Sequence, residues 1–441
     1  MDGSGGEFEP HRPAGPAVMG FPAHRERAVA LGEVHSRPHP LLTLPRLIIQ
    51  LSFMAEGGGV DASVLAELCR RQGVATPDGL ARYYTLRWGQ GTLRWERHTE
   101  FSTYLWEGPL RETGGREETP FGEGFSPPGT IISGVRLELR PWSPDEERRV
   151  EALDPESLCQ SWVEDGKAAI ATDFRQDGDG LTRMLILDRG LTDARRGALA
   201  QKLIEIETYR TLCMLGLPLA QKLSGRLRHL EDRLVSLTGE MRATGQRNSQ
   251  VLLENLTEVA AELEAQAASS LYRFGASRAY YDIVTERLQA LNETPVEGTE
   301  NWAEFLRRRV APAMRTCRSV EERQANLSRK LARTTQLLRT WVDVEVERQN
   351  RDLLASMNNR ARQQLRLQQT VEGLSVAAVS YYVVGLVSYL VRGVPLLPSW
   401  LRPETVTGLT VPIVVLAIWM FVRRLRRHYA EESPAPPRSE P

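Results

Sequence analysis

Two histidines lie four residues apart in His35-Ser36-Arg37-Pro38-His39-Pro40. On a helix that spacing puts both imidazoles on one face, where they can chelate a metal. Pro38 and Pro40 make the segment extended or turned, so it reads as a structured lead-in loop and no metal ligand set is assigned. Glu205-Ile206-Glu207-Thr208-Tyr209-Arg210 sets Glu207 and Arg210 three apart, the spacing of a helical ion pair, solvated or internal. Paired carboxylates do acid–base work only inside a pocket. Gly57–Gly59 is not followed by the Gly-Lys-Ser/Thr of a phosphate loop. Asp177-Gly178-Asp179-Gly180 lacks the spaced ligands and terminal Glu of a calcium loop and reads as a hairpin turn. Arg307–Arg309, close to Trp302, is a basic patch that suits a solvated face better than anionic lipid. Neither a GxSxG elbow nor an HExxH pair occurs. These residues point away from an enzyme, and no catalytic residue or cofactor is assigned.

The rest of the composition narrows the class. The 441 residues carry 56 basic and 56 acidic side chains, a neutral balance without the electrostatic footprint of a nucleic-acid binder. Cys69, Cys159, Cys213 and Cys317 are far apart with no CxxC pair, which fits a reducing compartment. The start, MDGSGGEFEPHRPAGPA, is polar and rich in Gly and Pro, without the apolar core of a signal peptide. It is expected to be a disordered leader over residues 1–22.

The elements that must position any site fall into two regimes. Between about Phe21 and Gly190 the pattern is mixed α/β. Leu47–Met54 reads as a buried strand, and Asp61 is placed to cap a helix over Ala62–Gln72. Arg82–Trp88 and Leu93–Leu105 form a hairpin across Gly89 and Gly91, Thr130–Leu139 is a strand, and Ala168–Phe174 pairs with Leu181–Leu187 across the Asp-Gly-Asp-Gly turn. From Thr192 onward everything reads as helix. Leu223, Leu227, Leu230, Leu234, Leu237 and Met241 form a heptad-like seam. Leu252, Leu256, Val259 and Leu263 follow a break near Gly245–Ser249, and Leu327, Leu331, Thr334, Leu338 and Trp341 form a third stretch. Past Trp341 the register slips and resumes at Val346, Leu353 and Met357. Such seams pack within one chain as a bundle or between chains, and the first is the default. Pro218 is expected to kink the first long helix.

Two uncharged apolar runs, Gly373–Val391 and Thr405–Val422, are 19 and 18 residues long. Each reaches the length of about 20 helical residues that spans a bilayer core. Arg360, Arg362 and Arg366 precede the first run, and Arg423, Arg424, Arg426 and Arg427 follow the second. The linker holds only Arg392 and Arg402 with Glu404, and Pro395 and Pro398 stop a continuous helix. The positive-inside rule then puts both flanks in the cytoplasm and the short loop outside, with Trp400 and Trp419 as interfacial anchors. In the first run Ala377, Tyr381, Gly385, Ser388 and Arg392 share a helix face of mostly small and hydroxylated residues. That face packs against another helix or lines a polar path; its lack of an acidic residue favours packing.

These segments resemble a known family. EVHSRPHPLLTLP (33–45), RHTEFSTYLW (97–106), QKLIEIETYRTLCMLGLPLA (201–220), LYRFGASRAYY (271–281), RRRVAPAMRTC (307–317) and LQQTVEGLSVAAVSYYVVGLVSYL (367–390) resemble domain-of-unknown-function family 3422, bacterial uncharacterised membrane-anchored proteins. The resemblance covers nearly everything after the leader. It implies a membrane anchor and carries over no catalytic residue. In build alone, the chain is similar to the CorA-type magnesium channels. Their Gly-Met-Asn motif after the first span is replaced here by Arg392-Gly393-Val394-Pro395, so the likeness is one of architecture.

The expected fold is an α+β cytosolic domain followed by a long α-helical stalk or bundle and a two-helix C-terminal transmembrane hairpin. The expected domains are the α/β part at 23–190, a coiled-coil-like stalk at 191–372, the hairpin at 373–422 and a basic, then Pro-rich, cytoplasmic tail at 423–441. The expected partners are the lipid bilayer and a second copy of the chain, with no nucleic acid. The function read from this is a non-enzymatic, inner-membrane-anchored sensor or scaffold with both termini in the cytoplasm. The alternative is an oligomeric CorA-like channel or transporter without the Gly-Met-Asn filter, and a membrane-bound enzyme comes third. The arginine asymmetry yields a direct test. A reporter active only outside the cytoplasm should work when fused near Leu397 and stay silent at Tyr429; the reverse pattern would invert the orientation.

Overall fold

The computed structural model describes residues 17–19, 21–24, 26–27, 31, 39–55, 60–77, 81–111, 121, 125–244, 248–393 and 403–430. His35, Gly57–Gly59, Pro395, Pro398 and Trp400 lie outside these residues. The chain divides into two units, residues 1–243 with 251–336, and residues 244–250 with 337–441.

In the first unit nine strands form one mixed sheet. They are β1 (Arg46–Ala55), β2 (Tyr83–Trp88), β3 (Gly91–Arg97), β4 (Phe101–Pro109), β5 (Gly129–Pro141), β6 (Cys159–Val163), β7 (Ala168–Gln176), β8 (Thr182–Asp188) and β9 (Thr294–Pro295). Their order is β9-β6-β7-β8-β5-β1-β4-β3-β2. Every neighbouring pair is antiparallel except β5 and β8. A parallel pair needs a long crossover, and β6 and β7 lie on it.

The sheet buries both faces, and β1 shows why apolar residues occur at successive positions in it. Side chains alternate across a strand, so Ile48 enters one core and Leu47 and Ile49 enter another. Helix α1 (Val60–Gln72) covers the second face with Val64, Leu65, Leu68 and Cys69. The first face is covered by Leu199, Leu203 and Ile206 of α2 (Asp193–Met214) and by Trp302, Phe305 and Val310 at the start of α5 (Trp302–Gly393). Each such fully buried side chain contributes about 1.5–3 kcal/mol.

Between these come α3 (Gly216–Thr244) and α4 (Ser249–Gln289). All six seam residues from Leu223 to Met241 are buried, as are Leu252, Leu256, Val259, Leu263, Leu327 and Leu331. The seam is therefore filled within one chain. Arg323 of α5 pairs with Glu231 of α3, Arg278 of α4 with Glu321 of α5, and Arg233 of α3 with Glu258 of α4, so each of the three helices is tied to the other two.

The structure differs from the sequence reading at four points. Asp61 is not an N-cap: α1 begins at Val60, and the Asp61 carboxylate is drawn inward to accept from the Ser102 hydroxyl at 2.7 Å. Leu93–Leu105 is two strands, because the chain turns at His98–Glu100. The helical region is interrupted by β9, a sheet edge where the missing N–H of Pro295 is tolerated. Pro218 does not kink a helix; α2 stops at Met214, and Pro218 lies in the first turn of α3. Helix α2 and the start of α5 pack directly on the sheet.

In the second unit α5 continues to Gly393 and α6 spans Pro403–Ala430. Val346, Leu353 and Met357 are exposed, so the resumed register is uncovered in the single chain. Among the described residues one helix, Trp302–Leu390, is long and apolar enough to cross a membrane. The second apolar run lies within α6.

The segment before β1 is strapped to the start of α2. Leu42 N–H donates to the Asp193 carbonyl (3.1 Å), and Arg196 pairs with Asp188 and Asp193. The strap passes so close that a Cβ on Gly197 would sit 1.7 Å from the Pro40 carbonyl oxygen. A helical Gly→Ala change normally gains about 1 kcal/mol. Gly225, with nothing within 4 Å of a built Cβ, should show that gain. Gly197→Ala should instead cost about 1–3 kcal/mol through overpacking. Denaturant midpoints of the two variants check this, and equal midpoints would refute the close approach.

Candidate functional site

The turn between β3 and β4, His98-Thr99-Glu100, contains no glycine, proline or asparagine. It is closed by His98 N–H donating to the Phe101 carbonyl at 2.8 Å. The His98 imidazole lies flat on the Phe101 ring, with centroids 4.1 Å apart and planes 8° apart. Phe101 is buried and meets Tyr209 of α2 and Tyr280 of α4 edge-on, each at 6.2 Å. The two tyrosines stack on each other at 5.5 Å. Four rings from one turn and two helices thus converge, in the offset and edge-on geometries that the ring quadrupole favours.

Glu100 fixes this arrangement. Its buried carboxylate receives both Arg273 Nη atoms, at 3.0 and 2.6 Å, and the Tyr280 hydroxyl at 2.7 Å. Burial pushes the Tyr280 phenol well up, and the adjacent Glu100 pushes it further, so Tyr280 remains a donor. Alongside, Glu205 of α2 accepts from Arg287 of α4 at 2.5 Å and from Gln201 at 2.8 Å. The His39 ring reaches the Gln201 amide oxygen at 2.9 Å. Glu207 pairs with Arg210 and also accepts from the Thr182 hydroxyl at 2.9 Å; of the two readings of that pair, it is the internal one.

The four rings border a cleft of about 370 Å³. Arg82, Arg97, His98, Thr99 and Phe101 line it from the sheet side, and Tyr209, Tyr280 and Ile283 from the helices. A recess of about 40 Å³ shares His98 and Tyr209 and adds Arg94, Glu96 and Glu205. His98 Nε2 is 3.8 Å from Glu96. The Arg97 charge also acts on Asp61, whose carboxyl is pushed up by burial while Ser102 and Arg97 oppose the shift. The lining combines two arginines and a histidine with the rings of Phe101, Tyr209 and Tyr280. The cysteines are all buried, and burial pushes the Cys159 and Cys213 thiols up to about 12, so neither supplies a thiolate nucleophile at neutral pH.

The residues singled out from sequence lie elsewhere. Ala377 and Tyr381 are exposed on α5, Gly385 and Ser388 are half-buried, and a Cβ on Gly385 would meet nothing within 4 Å. The buried residue beside them is Ser380, whose hydroxyl donates to the Val376 carbonyl at 2.6 Å. Arg392 is helical. Arg423 and Arg424 are exposed on α6, with the Arg423 guanidinium 4.9 Å over the Trp419 ring, and Arg426 and Arg427 continue that helix. Asp177 accepts from the N–H groups of Asp179 and Leu181 and pairs with Arg136, the behaviour of a turn residue. Of the Arg307–Arg309 patch, Arg308 pairs with Glu300 and Arg309 lies 3.5 Å over the Phe305 ring.

Sequence reasoning missed the cleft. One signal was present: Arg273 and Tyr280 are seven apart on α4 and therefore share a face. The family named "Protein of unknown function (DUF3422)" matches residues 22–429. The chain belongs to this family. No curated protein matches it. The DUF3422 segments quoted above at 97–106, 201–220 and 271–281 supply most of the cleft, from Arg97, His98 and Phe101 to Tyr209 and Tyr280.

Glu100→Ala should strand Arg273 and free Tyr280. Loss of one partner of a buried pair costs about 3–5 kcal/mol. Urea unfolding of the variant should show that loss. A change under about 0.5 kcal/mol, typical of surface sites, would mean that the pair does not anchor α4.

Proposed function

We propose that this DUF3422 chain is a membrane-anchored, non-enzymatic sensor or scaffold, in which the α/β unit binds a ligand on the cytoplasmic side and the two C-terminal apolar runs hold it to the bilayer. The observation that carries the reading is the continuity of α5. The helix whose first turns place Trp302, Phe305 and Val310 in the sheet core also carries the apolar run 373–391. Of its apolar window only 6% is buried. That argues against the core helix of a soluble domain and leaves lipid or a second copy to cover it.

The second run supports the hairpin part of the reading. On α6 the least exposed described positions are Thr410, Val414, Ile418 and Val422, spaced by four along one face. On α5 they include Val376, Ser380, Val383, Val384 and Val387. Each helix thus has one more covered face and an apolar outer surface, the pattern of a paired span in lipid. Leu374, Tyr381, Leu386, Leu409 and Phe421 form part of that outer surface. In this arrangement the exposed Ala377 and Tyr381 face lipid or a second copy, and Arg423, Arg424, Arg426 and Arg427 sit at the cytoplasmic headgroups.

Membrane extraction at alkaline pH tests the reading. The full chain should stay in the pellet, and a chain ending before Gly373 should move to the soluble fraction with its cleft intact. A full chain released by carbonate, or a truncated one that stays in the pellet, would overturn the anchor.

A further inference from the structure

We infer that α5 pairs with the same stretch of a second copy of this chain, parallel and in register, along a seam that occupies residues 346–388. The parallel sense rests on the anchor reading above, because two copies held in one bilayer leave it in the same direction.

The single chain leaves the first part of this stretch without a covering. Every residue from 346 to 371 is exposed. Helices in proteins draw most of their stability from packing. One that stands alone in water needs many acid–base pairs four residues apart. Residues 353–371 hold three arginines, Arg360, Arg362 and Arg366, and no acid. The stretch therefore requires a partner along its length.

The residue pattern says what the partner is. Val346, Asn350, Leu353 and Met357 are spaced four, three and four, and the same phase reaches Leu367, Val371 and Leu374. That is the a/d repeat of a coiled coil, with leucine at d in Leu353, Leu367 and Leu374 and an asparagine at a in Asn350. An asparagine at an a position meets its own copy across a two-fold axis and fixes the register. This phase is out of step with the buried Leu327, Leu331 and Leu338, and the slip falls where burial within the chain ends.

Charge fits a self-pair. Arg348, Arg351, Asp352, Arg362, Arg366 and Glu372 all fall at b, c or f, on the outside of such a coil. Of the flanking e and g positions from 347 to 370, only Glu347 is charged. Partners of another kind are chosen by charges at e and g. Identical chains need those positions neutral, so that like charges do not face each other. Arg360, at d, is the misfit, tolerated because its stem can lie along apolar surface with the guanidinium in water.

The seam continues into the apolar run through Ala378, Tyr381, Gly385 and Ser388. The covered positions of that run include Ser380, Val383 and Val387. They lie two residues beyond Ala378, Tyr381 and Gly385, about 200° round the helix. One face is thus covered within the chain and the opposite one is left, with nothing within 4 Å of a Cβ built on Gly385. Small residues such as Ala378, Gly385 and Ser388 let the spans of two copies approach closely. The whole strip is roughly 60 Å long, and a width near the helix diameter of about 10–12 Å gives roughly 700 Å² per copy. A standard specific interface takes about 800 Å² per partner.

Cysteine cross-linking of the full-length protein in native membranes, with copper phenanthroline as oxidant, provides the test; the four native cysteines are buried. Leu353→Cys and Leu367→Cys should each give a disulfide-linked band of two chains. Ala355→Cys, on the outer face, should give little, because a disulfide needs Cβ atoms about 3.5–4.5 Å apart. Light scattering in detergent should find two chains per particle. Arg360→Leu should tighten the pair by about tenfold or more, since it removes like charges that face each other. A variant that only misfolds would loosen it. Equal cross-linking at 353 and 355, linkage at only one of 353 and 367, linkage to a different protein, one chain or more than two per particle, or an Arg360→Leu pair no tighter than the wild type would each overturn the assignment. Alkaline extraction of the same membranes reads the anchor separately. A chain that stays in the pellet without cross-linking overturns the pairing and leaves the anchor standing; a released chain that cross-links at both seam positions does the reverse.

Discussion

A buried carboxylate must be paired, and in this protein the pairing of Glu100 joins a sheet to a helical bundle. The glutamate sits on a turn that has no residue suited to turning. What holds the turn is distant in sequence: Arg273 and Tyr280, 173 and 180 residues away. An isolated ion in the interior costs several kcal/mol, and a bidentate guanidinium with a phenol donor offsets that cost only in one geometry. The same demand that closes the turn therefore also fixes the approach of α4. The aromatic cluster follows, because Phe101 can reach Tyr209 and Tyr280 only if the turn and α4 are where Glu100 puts them.

The mixed α/β sheet is followed by a long helix, and the first turns of that helix share the sheet's core. Helix α2 donates one face to the sheet core through Leu199, Leu203 and Ile206, and its C-terminal end meets the bundle. There a Cβ on Gly216, the first residue of α3, would press on Ser277 of α4 and Cys317 of α5 at 2.7 and 3.1 Å. Glycine at that position lets three helices approach within reach of one another. Buried polar groups such as Ser270 and Gln324 occur between α4 and α5, where they add register at some cost to packing. The bundle is therefore specified by close approach and by polar contacts as well as by its leucine seam.

Much of this was legible from residue order. The apolar run in Leu47–Met54, the glycines between β2 and β3, the Asp-Gly-Asp-Gly turn and the four-three leucine spacing are each local patterns, and each appears where its pattern puts it. The turn at His98–Glu100 was not legible, because its stability comes from a pair made across the fold. Asp61 misled for a related reason. Its position fits a cap, and only the neighbouring strand, with Ser102, shows that it points inward. The cleft was invisible because Arg82, Arg97, Tyr209 and Tyr280 share no local spacing. They meet only once the sheet order is known. The Glu207–Arg210 pair could be read as a pair, whereas its burial and the third partner, Thr182, could not.

The two walls of the cleft are held in different ways. The sheet side of the cleft belongs to β3, β4 and their turn, which are anchored by strand pairing over their whole length. The helix side belongs to α2 and α4, held by side-chain contacts such as Glu205–Arg287. Strand pairing is distributed over many backbone bonds, and the helical wall is fixed as firmly by other means: α2 through Leu199, Leu203 and Ile206 in the sheet core, and α4 through Arg273 and Tyr280 on Glu100. Helix α4 is in turn bonded to α5 through Arg278–Glu321. The turn at His98–Glu100, the wall of the cleft and the seating of α4 on α5 are therefore consequences of the same few contacts, and removing Glu100 acts on all three at once.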